Sequence, residues 1–130
     1  MIYLDTSVAL AELFAEDRKP PASLWQGPLI SSRLLEYELF TRVHALGHTA
    51  SHAEAARDLL THVSFLELHP LALARALDPF PQPVRTLDAL HLASLVFLRS
   101  RGMKLSLATY DRRMLATAHA LKIPLHRLDE

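Results

Sequence analysis

The opening stretch MIYLDTSVAL, residues 1–10, decides how the rest of the chain is read. Ile2, Tyr3 and Leu4 make a short apolar run with a β-branched and an aromatic residue, the composition of a buried strand. Asp5, Thr6 and Ser7 follow, residue types that cap a helix, and Val8, Leu10, Leu13 and Phe14 continue it at helical spacing. The stretch has no basic leader and Asp5 interrupts its apolar run, so it reads as neither a signal peptide nor a membrane span. The expectation is a cytoplasmic protein.

The strand-to-helix pattern repeats outward from this start. Lys19-Pro20-Pro21 breaks the first helix, Pro28 to Ser31 reads as a second strand, and a helix from about Arg33 to Leu46 stops at Gly47. A further helix over 51–60 leads to a strand at Phe65-Leu66-Glu67-Leu68, and Pro70 opens a short helix that ends before Pro79. The loop DPFPQP, residues 78–83, excludes regular structure. Thr86 then begins a helix that is apolar on almost every side from Leu87 to Leu98, as a central buried helix should be. Leu105 to Thr109 reads as a strand, Asp111 to Leu121 as a helix, and Pro124 to Leu128 as a last short strand. Strands separated by helices pair in parallel through right-handed crossovers, which predicts one domain over 1–130: a three-layer α/β/α sandwich with a central parallel sheet.

In such sheets, functional groups gather beyond the carboxyl ends of the strands. Asp5 and Asp111 both follow strands and so are candidates to share one edge. Each acid also has a purely structural explanation. Asp5 and Asp111 can cap helices; Asp88 meets the positive end of a helix dipole; Glu38 stands four residues before Arg42, the spacing of a surface ion pair. Glu38 nevertheless has Leu34, Leu35 and Leu39 as neighbours, whereas Glu36 points to roughly the opposite side. Asp88 sits on a mostly apolar helix, where a buried carboxylate needs a partner. Four converging carboxylates repel one another unless a cation neutralises them, and hard oxygen ligands suit Mg²⁺ or Mn²⁺.

Composition narrows the rest. Half the residues are hydrophobic and 22% are charged, so the chain is globular rather than disordered. The absence of cysteine excludes disulfides, thiolate metal sites and cysteine nucleophiles. Fourteen basic residues balance fourteen acidic ones, so any polyanion must be held by local arginines rather than by net charge.

Four segments, IYLDTS at 2–7, YEL at 37–39, RTLDALHLAS at 85–94 and LATYDRRML at 107–115, together resemble the PIN domain, in its VapC-like toxin variety. They span nearly the whole chain in the family's order. The resemblance implies a catalytic and metal-holding set of Asp5, Glu38, Asp88 and Asp111, with Thr6 and Thr109 as polar supports near the substrate; Arg112, immediately after Asp111, is by its position a candidate to hold a substrate phosphate. It further implies a metal-dependent endoribonuclease, a homodimer, and inhibition by a cognate VapB-like antitoxin. The reaction implied is hydrolysis of an RNA phosphodiester by metal-activated water, leaving a 5′-phosphate and a 3′-hydroxyl.

Other readings are weaker on residue grounds. A non-catalytic PIN-fold binding module would not require four intact acids. A receiver-like or phosphatase-like domain needs a lysine beyond a strand, and Lys104 precedes one. His44, His48 and His52 are spaced by four, but Gly47 interrupts their helix, so they read as surface polar residues; His91 reads as a packing residue. The early helices carry more apolar residues than one small sheet needs, including Leu10, Leu13, Phe14, Leu39, Phe40 and Val43, and part of that surface is expected to be an interface.

Overall fold

The computed structural model describes residues 1–14 and 17–129. Four strands, β1 (Ile2–Leu4), β2 (Leu29–Ser32), β3 (Val63–Leu66) and β4 (Ser106–Ala108), form a parallel sheet in the order β3-β2-β1-β4. Helix α1 (Thr6–Phe14) joins β1 to β2, α2 (Leu34–Ala45) and α3 (Thr49–Leu60) join β2 to β3, and α4 (Pro70–Ala76) and α5 (Thr86–Ser100) carry the chain back across the sheet to β4. Helix α6 (Arg112–Ala120) follows.

The two-residue period of the strands divides the core between two faces. Leu4, Leu29 and Ala108 pack with α1, α2 and α3 on one side. Tyr3, Ile30 and Leu107, in register across three strands, pack with Leu92, Leu95 and Met114 of α5 and α6 on the other. The result is the expected three-layer sandwich. Among the described residues no helix is long and apolar enough to cross a membrane.

Two expectations change. The final strand over 124–128 is reduced to a single bridge between Leu125 and Leu107, made by Leu107 N–H to Pro124 O and His126 N–H to Leu107 O, both 2.8 Å. Pro124 has no N–H to extend the ladder, and Arg127 turns to Asp129 at the surface. The third strand lies at Val63–Leu66 rather than 65–68, because its partner β2 ends at Ser32 and Glu67 instead meets Arg33 at 2.8 Å. Among the apolar residues of the early helices, Leu39 and Val43 are fully buried, while Leu10, Leu13 and Phe40 pack against the core and stay partly exposed. The large apolar side chains left exposed include Tyr37 and Leu46, on and just after α2, as well as Leu71 and Leu73 of α4, Leu77 at its end and Leu87 at the start of α5.

Helix ends follow their local chemistry. Helix α2 stops at Gly47, whose φ of 72° lets His48 N–H reach Val43 O at 2.9 Å and Gly47 N–H reach His44 O at 3.0 Å. Helix α6 ends with the same pair of bonds, Ile123 to Ala118 and Lys122 to His119, but places Lys122 at φ 58°. A left-handed conformation costs an L-residue about 1–2 kcal/mol, partly offset by the lower unfolded-state entropy of lysine relative to glycine. Lys122→Gly should therefore stabilise the protein by about 0.5–1 kcal/mol in urea denaturation; an unchanged or lower midpoint would mean the turn is not strained.

Candidate active site

The strand order reverses between β1 and β4, and a crevice at such a switch point is where parallel sheets place their sites. Asp5 leaves β1 here, and Thr109, Tyr110 and Asp111 leave β4. Asp5 is almost wholly buried. Its Oδ2 accepts bonds from Thr109 Oγ1 (2.7 Å), Ser7 Oγ (2.6 Å) and Ser7 N–H (3.3 Å), leaving Oδ1 uncommitted among the described residues. Thr109 Oγ1 in turn accepts Asp111 N–H at 3.0 Å, and Ser7 Oγ accepts Tyr110 N–H at 3.0 Å. Both hydroxyl protons go to Asp5, so the 3.3 Å approach of Ser7 to Thr109 is a contact rather than a bond. The two strand ends are thereby tied together.

Asp111 caps α6: its Oδ1 accepts Arg113 N–H at 2.8 Å and Met114 N–H at 3.2 Å, and Oδ2 stays uncommitted. Its structural and candidate functional roles therefore coexist on separate oxygens.

Glu38 reaches the same edge from α2. Its Oε1 accepts Thr6 Oγ1 at 3.0 Å and His91 Nε2 at 2.6 Å, and no ion pair forms with Arg42. Glu36 lies elsewhere, 3.7 Å from Arg33. His91 is buried, and both of its ring nitrogens have partners. Tyr3 OH accepts Ser32 N–H at 3.2 Å and shares a hydrogen bond of 2.8 Å with His91 Nδ1, while Nε2 donates to Glu38. Burial pushes the Tyr3 phenol above its usual range, which keeps it neutral. His91 was expected only to pack; its place one turn after Asp88 on α5 was the signal available for more. Ser7 was missed as a site residue, although it stands two residues after Asp5, where an Asx-type turn puts a hydroxyl.

Asp88 differs from the other three. It lies in the first turn of α5, and among the described residues its carboxylate accepts no hydrogen bond. Burial pushes it up to about 6 from 3.8, reinforced by the charges of Asp111 and Asp5 and to a lesser extent Glu38, against a smaller opposing effect of His91. The helix dipole favours the charged form, so desolvation and like charge outweigh it here.

Thr6 and Thr109 thus direct their hydroxyls to carboxylates. Arg112 is exposed at the first position of α6. His48 and His52 form a tilted pair with ring centroids 4.9 Å apart and both tilt against Phe14, while His44 bonds Thr49. Among the described residues no three histidine or acidic side chains converge closely enough to hold a metal ion as they stand. The donor set at the switch point is nonetheless all hard oxygen, with three oxygens uncommitted around a carboxylate that like charges disfavour. That chemistry fits Mg²⁺, which keeps several waters and takes few direct carboxylates, or Mn²⁺.

A parallel α/β/α sandwich with clustered acids at its switch point defines a class of acid-cluster hydrolases, and comparison with known proteins places the chain within it. The PIN domain family model matches residues 2–120. Ribonuclease VapC46 of Mycobacterium tuberculosis is 32% identical over 124 residues, 92% of each chain. The chain belongs to the PIN-domain family, among the VapC ribonucleases. Its fold is similar to that of M. tuberculosis VapC20, a sarcin-ricin loop cleaving toxin, with a TM-score of 0.66 at 23% identity over 89% of this chain and 94% of that one. It is also similar to a chain of a toxin–antitoxin complex from Klebsiella pneumoniae, with a TM-score of 0.59 at 17% identity over 89% and 91%. These two likenesses speak to the fold.

Two measurements test the site's electrostatics and support. Because Asp88 holds its proton more tightly folded than unfolded, the metal-free protein should lose stability as pH rises from about 4 to about 6, and Asp88→Asn should remove that loss. Melting in chelator across that range checks it; parallel curves for both proteins would contradict the perturbed carboxyl. His91→Leu leaves the buried Tyr3 hydroxyl without its partner and should cost about 1–3 kcal/mol, partly recovered in a Tyr3→Phe background. Additive losses in urea denaturation would show that the two side chains do not act together.

Proposed function

We propose that this protein is an endoribonuclease, the toxin of a toxin–antitoxin pair, hydrolysing RNA phosphodiester bonds with Mg²⁺ or Mn²⁺ held by Asp5, Glu38, Asp88 and Asp111. The observation that carries the proposal is the shared arrangement of three acids: Asp5, Glu38 and Asp111 each have one oxygen fixed by protein donors and the other uncommitted, around an Asp88 raised to about 6. A non-catalytic binding module has no use for that arrangement. The kinship with ribonuclease VapC46 supports RNA as substrate, since carboxylates do not by themselves distinguish a ribose from a deoxyribose.

When bound, the cation polarises a phosphate oxygen and lowers the pKa of the attacking water. Asp5, Glu38 and Asp88 hold it directly or through water, and Asp111 orients the water or holds a second ion. Ser7 and Thr109 keep Asp5 in place, and Thr6 and His91 keep Glu38 in place, so these side chains need not reorganise as charge develops. The water oxygen bonds to phosphorus, the bond from phosphorus to the 3′ oxygen breaks, and that oxygen gains a proton, giving a 5′-phosphate and a 3′-hydroxyl. Under the same reading the protein is a cytoplasmic homodimer restrained by a VapB-like antitoxin. The exposed leucines at α4 supply apolar surface of the kind that marks protein contacts.

Asp5→Asn and Asp88→Asn should each fold, lose cleavage by more than about 100-fold and lose the rise in melting temperature that Mn²⁺ gives the wild type. Labelled structured and single-stranded RNA, incubated with Mn²⁺, Mg²⁺ or chelator, reads the first effect and thermal melting the second. Full activity in both variants would remove the site assignment.

A further inference from the structure

Beside the acid cluster lies a groove of about 280 Å³ whose lining includes Arg18, Arg42 and Tyr110, and which shares Ser7 and Asp111 with the cluster itself. Resting on the nuclease reading above, we infer that this groove is the subsite for the RNA strand next to the bond being cleaved, with Arg18 and Arg42 as the forks for its backbone phosphates.

Three observations support it. Arg42 follows Glu38 by one turn of α2, the spacing of a surface ion pair, yet Glu38 turns to Thr6 and His91 and leaves the Arg42 guanidinium to the groove. Arg18 lies with its Cζ 4.6 Å from the centroid of the Tyr110 ring. A cation held over an aromatic ring keeps its hydrogen-bond donors available, so Tyr110 positions Arg18 with N–H groups suited to bidentate recognition of phosphate. Neither arginine forms an ion pair among the described residues.

Two acids line the same groove. Asp111 belongs to the cluster and has one oxygen on the α6 N–H groups; Asp17 faces the groove as an opposing charge. The formal charges cancel, so the groove selects by placement, with cations set beside the acids rather than among them. An acidic protein segment would also meet guanidiniums, but the groove's continuity with the acid cluster favours the molecule on which that cluster acts. Arg112 does not line the groove, so Arg18 and Arg42 are substrate contacts in addition to any that Arg112 makes.

The test measures binding without cleavage. In an Asp5→Asn background with chelator, anisotropy of a short fluorescein-labelled single-stranded RNA gives Kd across a salt series. Arg18→Gln with Arg42→Gln should weaken binding by about 10–30-fold near ~0.1 M salt and flatten the slope of log K against log salt by about 1.4, roughly 0.7 for each phosphate no longer neutralised. Arg127→Gln should change neither. Tyr110→Leu should weaken binding alone but add little once Arg18 is Gln, because it acts by holding that side chain. Unchanged affinity and slope in the double variant, or an equal loss from Arg127→Gln, would overturn the inference; the first result would leave the groove to an acidic protein segment. A wild type that cleaves nothing while the double variant still shows the loss would sink the nuclease reading and keep the subsite.

Discussion

Four carboxylates brought to one edge of a parallel sheet repel one another, and much of the local structure answers that repulsion. The fold has reason to place them there: the strand order reverses between β1 and β4, so the loops after those strands diverge and leave a crevice. Within it, three of the acids are stabilised asymmetrically. Asp5 receives two hydroxyls and a backbone N–H on Oδ2, Asp111 two backbone N–H groups on Oδ1, and Glu38 a hydroxyl and an imidazole N–H on Oε1. Hydrogen bonds to a charged acceptor contribute about 1.5–3 kcal/mol each, enough to offset a large part of the cost of crowding and burial. Asp88 has no such donors among the described residues, and the uncompensated repulsion and desolvation fall on it, as a carboxyl raised to about 6.

The supports reach into both layers of the core. Tyr3 belongs to the central strand and packs with Leu92 and Leu95 of α5, while its hydroxyl joins Ser32 at the end of β2 to His91. Through His91 and Glu38 the connection continues to α2, on the opposite side of the sheet. A carboxylate on an exposed helix would sample several rotamers; this one is held by residues from β1, α1 and α5. Rigidity of that kind is what a charge-stabilising site needs, because donors already in place need not reorganise during a reaction. The site is thus a consequence of core packing rather than an addition to its surface.

The layer architecture and the acids were legible from the sequence because both rest on local signals. Strand period, helix period and an acid following each of two strands are visible within ten residues, and Gly47 and the proline loop punctuate them. What was not legible depends on distant partners. The last strand failed because pairing, rather than propensity, decides a strand, and Pro124 removes the donor that would continue it. The role of His91 needed Tyr3, 88 positions away, and Glu38, 53 positions away, to meet at its two nitrogens. The Glu38–Arg42 pair that their spacing allows does not form for the same reason: a spacing rule scores neighbours on one helix and cannot see that Thr6 and His91 compete for the carboxylate. A partly buried acceptor takes the bonds that desolvation makes strongest, and an exposed ion pair of about 0.2–0.5 kcal/mol does not compete.

That competition bears on how a polyanion could approach this edge at all. The chain's formal charge is zero, so there is no net charge to draw a nucleic acid in, and the four acids at the switch point repel its phosphates locally. Approach therefore requires cations close to the acids but not neutralised by them. Had Glu38 paired with Arg42, one guanidinium would have been lost to a surface ion pair and the carboxylate turned away from the cluster. Because the buried imidazole and hydroxyl hold Glu38, Arg42 is released toward the groove, where Tyr110 already carries Arg18. A single choice of hydrogen-bond partner in the interior thus sets the placement of charge on both sides of the site: carboxylates where a cation would sit, and a guanidinium beside them where a phosphate would follow.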